Sequence, residues 1–129
     1  MLPLYTPTIA SAETVRQYVF ELLDLIDMPK NIKGRWYICQ GVELCLREPS
    51  LLKSTSASLY PAIAREFDTT PQSVERLVRY VIELTFETGY LDELYRLFGD
   101  CVDEEKGKVT NKAFIRRVTE VVRERIEQE

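Results

Sequence analysis

Two amphipathic stretches meet across only three residues, and that spacing restricts the fold more than any other feature of the chain. Within Thr55–Phe67, Leu59, Ile63 and Phe67 recur at i, i+4 and i+8, the period of one helix face. Asp68-Thr69-Thr70 follows as a turn. Thr70 can then cap, and Pro71 can open, a long helix running to about Thr88, with Gly89 as a left-handed stop. Helices joined this tightly match a helix-turn-helix. Any short helical hairpin gives the same pattern, so spacing alone leaves the function open.

The rest of the chain reads as helix too. Residues 1–10 carry Pro3 and Pro7 without a period and form an irregular lead-in. Ser11 is a candidate N-cap for a helix whose inner face holds Val15, Tyr18, Val19, Leu22, Leu23 and Ile26, ended by Met28-Pro29. A basic turn, KNIKGR, leads to a second helix from about Arg35 to Glu48 that is apolar on most sides, as a central helix would be. A short helix spans Leu91–Phe98 and stops at Gly99, and a last one runs from about Asn111 to Ile126. No stretch alternates with period 2. The expected fold is all-α, about six helices with a central helix-turn-helix, a winged-helix-like arrangement without a β-wing. At 129 residues, positions 11–129 make one domain.

Composition narrows the function. The chain has no histidine, which removes His-based acid–base and nucleophilic catalysis and every imidazole zinc site. Cys39, Cys45 and Cys101 form no CxxC pair and read as free, buried or half-buried thiols in a reducing cytoplasm, not as a metal set. No cofactor is implied, because Gly34, Gly41, Gly89, Gly99 and Gly107 form no phosphate loop. Glu83 and Glu87 are the nearest approach to a carboxylate pair, and such pairs are ordinarily solvated surface. No enzyme is expected. The N-terminus lacks a signal-peptide pattern and no apolar run spans a bilayer, so the expected location is cytoplasmic.

The helix after Pro71 carries the most information. At about 100° per residue, Val74, Leu77, Val78, Val81 and Ile82 share one apolar arc. Gln72, Arg76, Arg79 and Glu83 share the opposite arc, with Glu75 on one margin and Ser73 and Tyr80 on the other. Arg, Gln and Glu are side chains that read base edges in a major groove. The same residues would also suit a solvated face bridged by Glu75–Arg79 and Arg79–Glu83 pairs.

A net charge of −4 argues against a polyanion partner when averaged, yet the charge is segregated. Residues 30–65 hold six basic side chains against two acidic, and residues 106–125 hold seven against two. Residues 90–105 hold six acidic against one basic. This division suits one side facing phosphates and another facing other partners. On the DNA reading, Gln72, Ser73, Glu75, Arg76, Arg79 and Tyr80 address the major groove. Lys30, Lys33, Arg35, Thr70, Lys108 and Lys112 are the phosphate candidates. Trp36 and Tyr37, opening an apolar helix, are expected in the core.

The blocks IKGRWYI, LLKSTSASLYPAIAREFDTTPQSVERLVRYVIEL, GYLDELYRLFG and TNKAFIRRV resemble the C-terminal effector domain of the sporulation stage-zero response regulators. These are the transcription factors that start endospore formation. The resemblance runs in order from about Val15 to Ile126. It implies a six-helix fold with the helix from Pro71 as recognition helix, and places Glu75, Arg76 and Arg79 on positions used on bases and phosphates. It further implies double-stranded DNA as partner, tandem head-to-tail binding with a possible homodimer on DNA, and contact with RNA polymerase sigma factor through about Gly89 to Val102. Gly89, Leu91, Phe98 and Val102 are the candidates there. The chain departs from the family at Tyr80 (usually histidine), at Leu77 (usually small) and at Val109 (usually proline). The receiver domain that normally precedes this effector is expected to be missing.

The leading expectation is therefore a sequence-specific DNA-binding transcription regulator. The alternative is a receiverless protein-interaction module that binds a response regulator or polymerase and has lost specific DNA binding, motivated by the net acidity.

Overall fold

Side-chain caps fix where three of the six α-helices begin. The computed structural model describes residues 11–129 except 104 and 106, and the lead-in expected over residues 1–10 lies outside the described residues. Ser11 Oγ accepts from the Thr14 amide and starts α1 (Ala12–Leu25). Thr70 Oγ1 accepts from the Ser73 amide at the head of α4 (Pro71–Thr88), and Thr110 Oγ1 from the Ala113 amide at the head of α6 (Asn111–Glu127). Between them lie α2 (Lys33–Arg47), α3 (Tyr60–Phe67) and α5 (Leu91–Phe98). The protein is all-α. Among the described residues the sole β feature is an isolated bridge between Asp103 and Lys108.

The ends of the helices differ from expectation in four places, each for a physical reason. α1 stops at Leu25, short of Met28-Pro29, because Asp27 turns left-handed (φ 59°) and the Asp27 and Met28 amides donate to Asp24 and Leu23 carbonyls. α2 begins at Lys33, so the basic turn is split and its second half forms helix. The stretch expected as one helix from Thr55 opens instead with a wide π turn over Thr55–Leu59. Pro61 has no amide hydrogen to give the Ala57 carbonyl, so the regular ladder cannot pass through it. α5 runs on from Gly99 into a 3₁₀ turn, Gly99–Cys101, rather than stopping there.

Gly89 is a fifth correction. Its backbone is extended (φ −82°, ψ −171°) rather than left-handed. Glycine is needed there for space: a Cβ would lie 2.5 Å from the carbonyl oxygens of both Ile26 and Thr85. The Tyr90 amide points to that Ile26 carbonyl, tying the end of α4 to the end of α1.

One apolar core joins all six helices. α2 passes through its middle, burying Ile38, Cys39, Val42 and Cys45. It crosses α4 at Gly34, where a Cβ would meet the Leu77 carbonyl oxygen at 2.2 Å. The crossing is possible because that side chain is a hydrogen. The turn between α3 and α4 is the expected Asp68-Thr69-Thr70, with Asp68 left-handed (φ 52°) and the Thr69 amide donating to Ala64. Val74, Val78, Val81, Ile82 and Thr85 seat α4 in the core, and its other side faces out. Thr85, polar and fully buried, satisfies its hydroxyl on the Val81 carbonyl at 2.6 Å.

Candidate nucleic-acid interface

The outward arc of α4 is open along its N-terminal half. Gln72, Arg76, Arg79 and Tyr80 are exposed, Tyr80 to 51%. Ser73 and Glu75 are half-buried at the margins, and Leu77 is half-buried against α2. Arg79 is ion-paired to Glu75 along the helix. The expected Arg79–Glu83 bridge does not form. Glu83 turns instead to Lys108, 2.8 Å away, in the loop before α6. Arg76 has no ion-pair partner among the described residues, so its guanidinium keeps all its donors for another molecule.

A basic helix start lies on each flank of this arc. On one side, the contact of Gly34 with Leu77 and Val81 puts the first turn of α2 beside the middle of α4. Lys33 is exposed there, and Lys30 is exposed just before it, 4.0 Å from Asp24. On the other side, Asn111 donates to the Glu75 carbonyl at 3.1 Å and brings the head of α6 against α4. Lys112 is exposed at its second position. A groove of about 340 Å³ runs along this flank between Thr55, Ser56, Glu75, Arg79, Lys108 and Lys112. Each helix start adds unpaired amides and a partial positive charge to its lysine.

Other sequence candidates fall elsewhere. Arg35 leaves the phosphate set: it is only 5% exposed, donating to Asp24 Oδ1 at 2.7 Å and the Met28 carbonyl at 3.2 Å, with its guanidinium over the Phe20 ring. It anchors the α1–α2 turn. Phe98 leaves the polymerase set. It is fully buried and stacked on Phe114 at 4.5 Å between centroids. Gly89 lies against Ile26 and Thr85, and Val102 is half-buried, whereas Leu91 is 53% exposed beside exposed Tyr90 and Tyr95. The aromatic pair opening α2 is divided: Tyr37 is core, packed edge-on to Phe67, and Trp36 is 49% exposed against Phe20.

The basic run of the last helix is also divided. Arg117 Nε donates to the Leu97 carbonyl at 2.8 Å, and Arg125 pairs with Glu21 at 2.7 Å over the Tyr18 ring. These residues brace α6 against α5 and α1. Successive residues of a helix are rotated by about 100°, so the charges of α6 cannot all share one side. Sequence reasoning missed Tyr60 and Asn111 as parts of this surface, and the Lys108 partner of Glu83. Thr110-Asn111 is legible as a helix start, but its partners lie 36 and 51 residues away in the chain.

Among the described residues no group of three or more acidic or cysteine side chains could hold a metal ion, and no helix is long and apolar enough to cross a membrane. A helix-turn-helix with an exposed, Arg-bearing second helix and lysine-tipped helices beside it is the architecture of a DNA-binding regulatory domain. The family model described as sporulation initiation factor Spo0A C terminal matches residues 19–122. The chain belongs to that family, the DNA-binding effector domains of sporulation initiation.

Proposed function

We propose that this domain is a sequence-specific transcription regulator that lays the N-terminal half of α4 in the major groove. The observation that carries the reading is the bracketing of one exposed arc, Gln72 through Tyr80, by lysine-bearing helix starts on both sides. A major groove about 12 Å wide admits a single α-helix and leaves a phosphate strand on each edge. Lys30 and Lys33 then meet one strand, and Lys108 and Lys112 the other. Arg76 and Arg79 are matched to guanine, Gln72 to adenine, and Glu75 to the amino group of cytosine. Thr70 caps α4 and holds its first turn at the groove.

α4 has 18 residues and is about 27 Å long, so α5 lies beyond the far end from Thr70. The exposed Leu91, Tyr90 and Tyr95 on α5 are where we place the sigma-factor contact, clear of bound DNA. A cytoplasmic setting follows from this activity. The deciding experiment selects bound sequences from a random duplex pool and then titrates the enriched box at low and moderate salt. An enriched box with a steep negative salt slope is expected, and two boxes at fixed spacing if copies bind head to tail. Absence of enrichment and of binding at low salt would replace this reading with the protein-interaction module.

A further inference from the structure

One side chain ties the head of α6 directly to the backbone of α4 beside its outward arc. Asn111 Nδ2 lies 3.1 Å from Tyr60 Oη and 3.1 Å from the Glu75 carbonyl oxygen, so three helices meet at one amide. The carbonyl can only accept, which fixes the amide with nitrogen inward and gives each of its two hydrogens one acceptor. Tyr60 is itself buried, at the start of α3, and cannot swing away. Lys112, the next residue, is exposed at the same helix start. Glu75, whose carbonyl takes the bond, sits one residue before Arg76 and pairs with Arg79.

We infer that Asn111 is a positioning residue for sequence readout, an inference that rests on the DNA-binding reading above. Phosphate contacts set register and base contacts set specificity, and the two must be rigidly related for register to help specificity. The Asn111 amide joins the element that carries Lys112 to the backbone that carries Glu75, Arg76 and Arg79. Without it the core still packs α4 against α6, but the polar tie nearest the two grips on DNA is lost and their relative position is less sharply fixed. Charge is untouched, so non-specific attraction stays while discrimination falls.

The test compares binding of the selected box and of a scrambled duplex for the wild type, Asn111→Ala, Tyr60→Phe and Lys112→Ala, with thermal melting of each variant. Asn111→Ala is expected to lower the ratio of specific to non-specific affinity about tenfold, with its salt slope unchanged. Tyr60→Phe, which removes one of the two acceptors, is expected to lower the ratio less. Lys112→Ala is expected to weaken both duplexes and to reduce the slope by about one. A folded Asn111→Ala that discriminates as the wild type does would overturn the inference. Should Asn111→Ala fail to fold, Tyr60→Phe with wild-type discrimination overturns it. A wild type that enriches no box removes the DNA reading itself, and this inference with it.

Discussion

Lys108 Nζ lies 2.8 Å from Glu83 Oε2, so a basic residue on one flank of the candidate interface is held by an acid on the very helix it flanks. Both side chains are substantially exposed, 47% and 37%, and such pairs contribute about 0–1 kcal/mol. A phosphate can therefore displace Glu83 at little cost, while the free domain carries less positive potential than its lysines suggest.

Glu83→Gln should release Lys108 and remove a negative charge from the DNA-facing side. Affinity for non-specific duplex at low salt is expected to rise several-fold, because a competing acid and its negative charge are gone. Melting temperature should hardly move, since the lost pair is a surface pair. An unchanged affinity in a filter-binding or fluorescence titration would show that the Glu83–Lys108 pair does not weaken the DNA-facing potential, and an unchanged slope for Lys108→Ala would show that Lys108 meets no phosphate.

Arg76 and Arg79 should behave differently although both are exposed arginines on α4. Arg76 has no ion-pair partner to release among the described residues, so Arg76→Ala is expected to cost about 1–3 kcal/mol of binding to the preferred box and to relax preference at one base pair. Arg79 is already paired with Glu75. Its removal also frees a carboxylate toward the groove, so Arg79→Ala should cost more than Arg76→Ala, and Glu75→Ala/Arg79→Ala should recover part of the loss. Equal binding by the wild type and Arg76→Ala would take Arg76 out of the site.

Much of this was legible in the chain because it is written in local terms. Periodicity placed the buried face of α1 on Val15, Tyr18, Val19, Leu22 and Leu23, and the Thr70-Pro71 start of α4 is a short-range cap. What was not legible depends on partners far away in sequence. Arg35 counted as a surface cation until Asp24, Met28 and Phe20 closed around it. Phe98 ended a short helix without showing that Phe114 would stack on it. Gly89 was read for its dihedral freedom, whereas the chain needs its lack of a Cβ against α1. Asn111 looked like the first residue of a helix and nothing more.

Gly34→Ala should be far more damaging than an alanine at a helix position normally is. An added Cβ meets the Leu77 carbonyl oxygen at 2.2 Å and Val81 Cγ1 at 2.9 Å, and a carbonyl within a helix cannot swing aside. α2 and α4 must part, which loosens the core and shifts Lys33 relative to the recognition arc. Chemical denaturation is expected to show a loss of about 1–3 kcal/mol or more, outweighing the better helix propensity of alanine. A variant as stable as the wild type would mean that the two helices can separate freely at this crossing.

The buried thiols predict how stability depends on alkaline pH. Burial pushes both Cys39 and Cys45 up to about 12, with the Glu43 carboxylate adding to the effect at Cys39. In the unfolded chain these thiols ionise near 9.0. Between pH 9 and 12 the unfolded state therefore gives up protons that the folded state keeps, so stability is complete below pH 9 and falls as pH rises through that window. The measurement compares the wild type with Cys39→Ala/Cys45→Ala, each relative to its own value at pH 8. The double variant is expected to start lower, from the lost packing, and to decline less steeply with pH. In the wild type at pH 8, an alkylating reagent should label half-buried Cys101 first and reach Cys39 and Cys45 only under denaturing conditions. Parallel pH profiles together with rapid labelling of Cys39 or Cys45 in the native state would contradict the closed packing of α2 that this prediction assumes.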